Sequence, residues 1–535
     1  MITPVTTPYL SSQRAGRDGF MALLHAEWTK FVTVRGWVIG LLLAALVTVG
    51  IGLLIAQGAV CSYGPFPGQP TAEPCTGPIG PDGEAVSDSF YFARRPLAGN
   101  GSIIVRVTAL TGRYSASGAV QPGQDPLAGM QPGLQPWSKA GIIITASTRP
   151  GSAYAAMMVT GRHGVRMQDD YTRDVAGVAG APTAAAPRWL RLTRSGDTLT
   201  GYDSADGRSW IRVGIARLAG LPPTVQAGLF AAAPPDSVAS SQAPGASRET
   251  GGPSQATGHF DHVSLRGRWP RGAWRGGQVD GSGEGSGSPS LGELSQAGGR
   301  LTVAGSGDIA PVVSGGAAPG MPIENTLVGA FGGLIAVIVV GTMFSTAEYR
   351  RGLLRLTLAA TPRRGQVLAA KATVIGAVTF AAELAGSAVA VPLGARMLRA
   401  HGNFILPVSL PTQLRVAAGT AALLAVAAVL ALAMGTVLRR SAGAVTTVIA
   451  VLVLPYVLVT AGLLPAGASQ WLLRVTPAAG FAIQQSVPQY PQVSNAYTPF
   501  NGYYPLAPWA GFAVLCAWTV VALGLAAWLL RRRDA

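Results

Sequence analysis

The sequence predicts a multi-domain protein, an all-α six-helix transmembrane bundle with one inserted all-β antiparallel sandwich. Three observations carry that prediction. Six apolar runs are each long enough to cross a bilayer. The stretch between the first two is polar and rich in short alternating segments with turn residues between them. Spare positive charge lies beside alternate runs.

The apolar runs lie at 37–56, 327–346, 367–391, 416–438, 444–464 and 509–530. A helix needs roughly 20 apolar residues to cross about 30 Å of hydrocarbon. The third run is the weakest, being Ala-rich and holding Lys371 and Glu383. The 535 residues are 49% hydrophobic and only 12% charged, too apolar on average for a soluble protein. The expected division is an arm at 1–35, a first span at 36–58, a connector at 59–86 and a sandwich at 87–268. A Gly/Ser-rich tether at 269–324 then leads to five further helices at 325–535, with a loop at 347–366.

The formal net charge of +16 raises nucleic acid as a partner, but its location argues otherwise. Residues 61–324 hold 21 basic against 19 acidic side chains, so the insertion is close to neutral. The arm, the 347–371 region, Arg439, Arg440 and the tail from Arg531 onward hold 15 basic against 4 acidic. Lys and Arg beside span ends resist translocation, which places these loops and both termini in the cytoplasm and the sandwich outside. No nucleic-acid partner is expected. The first run is longer than a signal-peptide core and reads as an uncleaved anchor. Cys61 and Cys75 then face an oxidising compartment, as a bridge or as two free thiols. Cys516 falls in the last span and reads as packing.

Within the insertion, Trp189 to Arg194 alternates, Ser195-Gly196-Asp197 turns, and Thr198 to Tyr202 follows. Ala205-Asp206-Gly207 turns again before Ser209 to Val213. Asp-Gly between alternating runs is a strong hairpin signal because glycine supplies the positive φ of a tight turn. Residues 141–144, 155–159, 226–230 and 259–263 read as further strands, and 300–311 as a short strand and turn. Two low-complexity stretches, 234–258 and 276–299, read as a long loop and a tether. The run WLRLTRSGDTLTGYDSADGRSWIRVG, with KAGIIIT upstream and VQAGLFAA and HFDHVSL downstream, resembles the concanavalin A-like jelly-roll domains appended to bacterial glycosidases. That resemblance implies a jelly-roll and an extracellular glycan as a possible partner. Trp137, Trp189 and Trp210 then read either as a sugar platform or as core. His259 and Asp261 share one face of a strand and His262 takes the other, so no metal site is expected.

After the second run comes STAEYRRGLLRLTLAATPRR, then VLAAKA. Its Leu/Arg mixture suits a short helix along the membrane surface, ended by Pro362. This motif, the HAEWTKF segment entering the first span and the six-span plan resemble the permease subunits of ABC exporters of the type-2 class. The resemblance implies a coupling helix docked on a cytoplasmic ABC ATPase subunit. Carried onto this sequence, Glu348, Tyr349, Arg350, Arg351, Arg355, Pro362, Arg363 and Arg364 form or position that contact. It also implies a homodimer or a heterodimer with a similar permease, in the plasma membrane of a bacterium. The large insertion departs from a minimal permease. No lysine follows a glycine, so a Walker A loop is absent. This chain is therefore not expected to be an enzyme or to hold a cofactor, with ATP and Mg on the partner. Glu383 lies near mid-membrane, where a carboxylate costs about 2.5–3.5 kcal/mol unless paired or wet. It is a candidate pathway residue or a structural hydrogen bond, with Thr379 or Ser387 nearby. A second reading is an extracytoplasmic carbohydrate-binding or cell-envelope sensor anchored by the bundle.

Overall fold

A computed structural model describes residues 19–63, 73–115, 129–183, 185–243, 246–279, 291–316, 320–350, 364–495 and 497–532. Among the described residues, six helices are long and apolar enough to cross a membrane, running Arg35–Gly58, Ala330–Tyr349, Arg364–Ala400, Leu410–Leu438, Ser441–Thr460 and Pro508–Arg532. They are called the first to sixth spans below. A separate arm helix, Phe20–Thr33, precedes the first span and is divided from it by Val34 in extended geometry. Between the first two spans lies a large antiparallel β-sheet domain.

The bundle core is built from the second and fourth spans, with Val337, Ile338, Leu424, Ala428 and Leu432 buried together. Gly341 lets these spans touch, because a Cβ there would sit 2.4 Å from the Ala428 carbonyl oxygen. The third span reaches 37 residues and carries Pro392 inside it. The fifth opens into a π-helical turn, Ile449–Val453, just before Pro455, which supplies no N–H to the ladder. A buried 3₁₀ segment, Pro477–Gln484, packs between the fourth and sixth spans. The Arg415 guanidinium donates to the Ile483 and Gln485 carbonyls near its end, at 2.9 and 2.7 Å.

The β-domain is organised by one strand that no turn signal marked, Phe90–Tyr114. Its first half pairs with Thr224–Ala232 and its second half with Arg188–Ser195 and Ser254–Arg268. The change of partners falls at Gly99, whose φ of +65° suits glycine, and at Gly101, where a Cβ would lie 2.5 Å from the Arg266 carbonyl oxygen. The sheet thereby folds over itself into two layers. Leu190, Leu192 and Leu199 of one layer meet Ile142, Ile144 and Met157 of the other in a closed core.

The strands expected at 141–144, 155–159, 189–194, 198–202, 226–230 and 259–263 all form, each somewhat longer than its pattern. The tether expectation fails on either side of residues 280–290, which lie outside the described residues. Arg275–Val279 pairs with Phe90–Tyr114, and Glu293–Ala297 and Arg300–Gly305 extend the sheet through Ser254–Arg268. The domain therefore continues well past residue 268. The 234–258 stretch also differs from a loop, forming an Asp236–Ala243/Ala246–Gly252 hairpin and the start of the next strand. Backbone pairing supplies what low-complexity side chains do not, so composition alone misjudged both stretches.

The β-domain is seated on the bundle. Ile309–Pro311 pairs with Val86–Asp88, and the Lys139 ammonium, fully buried, lies 2.6 Å from Asp308 and donates to the Ile309 carbonyl at 3.0 Å. Cys61 and Cys75 are joined by a disulfide, and their backbone N–H groups donate to His401 and Gly402 after the third span. Between the fifth and sixth spans, Gln492 donates to the Tyr171 and Thr172 carbonyls and Tyr503 accepts from the Ser314 N–H.

Asp88 sits under this seat, accepting from the Tyr171 hydroxyl at 2.7 Å and the Gly151 N–H at 2.9 Å. Burial pushes its carboxyl up to about 6, from 3.8 in an unfolded chain. A folded-state value raised in this way contributes stability that is complete below 3.8 and lost as pH rises through about 6. Acidification from about pH 7.5 to about pH 5 will therefore raise the exchange protection of the adjoining strand Tyr154–Thr160, taken relative to each amide's intrinsic rate at the same pH. Asp88→Asn will reduce that pH dependence and leave the share of Asp170, which accepts from the Tyr154 N–H and is also pushed up to about 6 by burial; an unchanged profile in the variant would refute the assignment.

Candidate functional site

The end of the bundle away from the β-domain gathers four charges. Lys371, at the start of the third span, lies 2.8 Å from Glu27 of the arm helix and 2.7 Å from Glu348 at the end of the second span. Lys30 lies 2.7 Å from Glu27 and 3.2 Å from Glu348. Two acids and two bases thus close a neutral ring across three elements. Glu27 and Lys371 are only 1% and 4% exposed, so each charge depends on the others for what water would have supplied.

Apolar contacts hold the ring in place. Phe31 of the arm helix and Trp37 of the first span pack on Phe344, and the Lys371 ammonium sits 4.8 Å from the centre of the Phe344 ring. The arm helix is therefore locked against the second span by aromatic packing and against the third by charge. One Glu348 oxygen, Oε2, is buried without a hydrogen-bond partner among the described residues. Beside it, a cleft is lined by Ser345, Tyr349, Arg364, Thr436 and Leu530. Arg439, the left-handed residue that ends the fourth span, places its guanidinium over the Tyr349 ring, and Arg364 donates to the Leu530 carbonyl of the sixth span. Among the described residues, five helix ends converge on residues 350 and 364, which flank the 351–363 segment.

Of the residues expected here, Glu348 is in the charge ring, Tyr349 is in the cleft wall and Arg364 opens the third span. Arg350 ends the second helix, and Arg351, Arg355, Pro362 and Arg363 lie outside the described residues. Sequence reasoning assigned no role to Glu27, Lys30 or Lys371. A signal was present: the chain has only three lysines, Lys30, Lys139 and Lys371, and every one is engaged in an ion pair. Elsewhere arginine supplies the positive charge.

Deep in the bundle, Glu383 accepts from the Thr48 hydroxyl of the first span at 3.0 Å. Its second oxygen and the hydroxyls of Thr379 and Ser387, one helical turn to either side, are buried without partners among the described residues. The expected partner on its own helix is thus replaced by one across the first–third span contact. Glu383→Gln keeps an acceptor for Thr48 and will leave membrane insertion and thermal stability close to wild type, whereas Glu383→Leu will strand Thr48 and lower stability by about 1–3 kcal/mol. Equal melting temperatures for the two variants would contradict this.

The three tryptophans do not form one platform. Trp137 is buried, stacked on His163 at 3.9 Å. Trp189 and Trp210 lie in the other layer, Trp189 edge-on to His262 and Trp210 against Arg191. His262 takes positive φ at a register shift of its strand, which swings it to within 3.0 Å of Asp261 rather than to the opposite face. Among the described residues, no group of three or more His, Cys, Asp or Glu side chains is arranged to hold a metal.

The ABC-2 family transporter model matches residues 204–535, which include the second to sixth spans and all but the arm-helix side of the charge ring. The chain belongs to the ABC-2 transporter family. It is accordingly the membrane component of an ABC transporter and a multi-pass membrane protein. No curated protein matches this ABC-2 transporter in sequence. Among solved structures, a functionally unknown protein from Saccharomyces cerevisiae is similar at 17% identity and a TM-score of 0.22, over 37% of this chain and 85% of that one. Scytalido-glutamic peptidase, solved with a transition state analog inhibitor, is similar at 7% identity and a TM-score of 0.24, over 42% of this chain and 100% of that one. Similarity that low does not define the fold of the β-domain.

Proposed function

We propose that this chain is the permease of an ATP-driven exporter whose nucleotide hydrolysis takes place on a separate cytoplasmic ABC ATPase subunit. The convergence of five helix ends on the residues flanking the arginine-bearing 351–363 segment, tied by the Glu27–Lys30–Glu348–Lys371 ring, carries this reading. A push on the loop reaches the arm helix and the second and third spans together, because separating them would leave buried charges uncompensated. Rocking of two such bundles, in a homodimer or heterodimer, then opens a path outward. The loop and both termini lie in the cytoplasm of a bacterium, and the β-domain lies outside its plasma membrane.

Co-purification tests the partner: an ATPase subunit will be retained by the wild-type chain and lost from an Arg355→Glu/Arg363→Glu variant. Retention by both would remove the proposed docking site. An impermeant thiol reagent tests sidedness, reacting in intact cells with a cysteine at exposed Ala205 but not with one at Ala359.

A further inference from the structure

The outer face of the β-domain carries an arginine that its own fold does not neutralise. Trp189–Arg106, Arg191–Tyr202 and Tyr202–Arg212 are directly opposed pairs on neighbouring strands, so their side chains share one face. Asp261 joins this face and is held by both nitrogens of a bidentate Arg106 contact, at 2.7 and 2.6 Å. No carboxylate is within ion-pair distance of Arg191 among the described residues. Its guanidinium instead lies against two rings, 4.0 Å from the centre of Tyr202 and 4.5 Å from that of Trp210. Its Nε is buried without a hydrogen-bond partner. Arg212 and Arg266 are exposed on the same side.

Packing against the two rings takes water from the guanidinium without supplying an acceptor to its Nε. A planar oxyanion is the group that satisfies the guanidinium fork. The flanking Tyr and Trp rings offer apolar surface with a polar edge, which suits the C–H face of a pyranose better than a peptide backbone. We infer that this face binds an acidic polysaccharide, with a uronate carboxylate on Arg191 and its ring packed against Trp210. Arg212 and Arg266 extend the positive field along the polymer. The inference stands independently of how transport is powered.

Binding of the full-length chain in lipid nanodiscs to polygalacturonate tests it at about 0.15 M salt, where weak exposed contacts are screened. Dextran serves as the neutral sugar polymer and polyglutamate as the anionic non-sugar. Polygalacturonate is expected to bind saturably, roughly tenfold or more tighter than either control, and Arg191→Gln to weaken it by a similar factor. Arg212→Gln, at an exposed position that stacks on nothing, will weaken binding without changing the melting temperature. Trp210→Leu will narrow the gap between polygalacturonate and polyglutamate. Absence of binding, equal affinity for polyglutamate, or an Arg191→Gln variant that binds like wild type would each overturn the inference.

Discussion

Lys371→Met will abolish transport and destabilise the bundle by about 3 kcal/mol, the cost of leaving buried acids without their cation. Glu27 and Glu348 both contact Lys371, and each keeps only Lys30 after the change. The Lys30 side chain is 37% exposed, so water already competes for it and it replaces little of the loss. Lys371→Arg will not rescue the function fully, since a planar fork does not fit where a compact ammonium reaches two carboxylates and the Phe344 face. Lys371→Met/Glu348→Gln should recover part of the stability but not the transport, because the ring's charge is balanced again while its mechanical link is gone. Melting temperature and vesicle export of the three variants separate these effects. Wild-type export by Lys371→Met would show that the ring is packing alone.

The second large effect is expected at Lys139, in the β-domain. Its ammonium is fully buried between Asp308 and the Ile309 carbonyl, at the point where the chain leaves the sheet for the second span. Lys139→Met leaves Asp308 buried without a counter-charge, a loss of about 3–5 kcal/mol. Adding Asp308→Leu should restore most of it, since an apolar pair of similar volume is commonly as stable as a buried ion pair. Limited proteolysis near residues 305–316 reads the outcome: rapid cleavage in the single variant, slow cleavage in the double. Equal resistance in all three proteins would mean that the Ile309–Pro311 pairing with Val86–Asp88 holds this segment without the ion pair.

Much of this architecture was legible beforehand because its signals are local. Apolar runs mark four of the six spans to within four residues and fall short at the end of the third and the start of the fourth, and Asp-Gly and Ser-Gly turns mark the strands between 188 and 217. The misses share one cause. Phe90–Tyr114 carries no turn at its bend beyond Gly99 and Asn100, and it is defined by partners up to residue 279. The 275–305 strands have tether-like composition and are ordered by backbone hydrogen bonds to neighbours already in place. Glu383 read correctly as a buried acid of the bundle, but its partner Thr48 is 335 residues away.

By itself, the sequence determined the number of spans, the β character of the insertion and the clustering of arginine beside alternate spans, since each depends on residue type and spacing over a few turns or strands. Only the tertiary structure decided which charges meet. Lys371 and Glu27 are separated by 344 residues, and nothing in either segment names the other. The reason is physical: burial makes an unpaired charge intolerable, so three helices are forced to agree on a partner, and that agreement exists only once they pack.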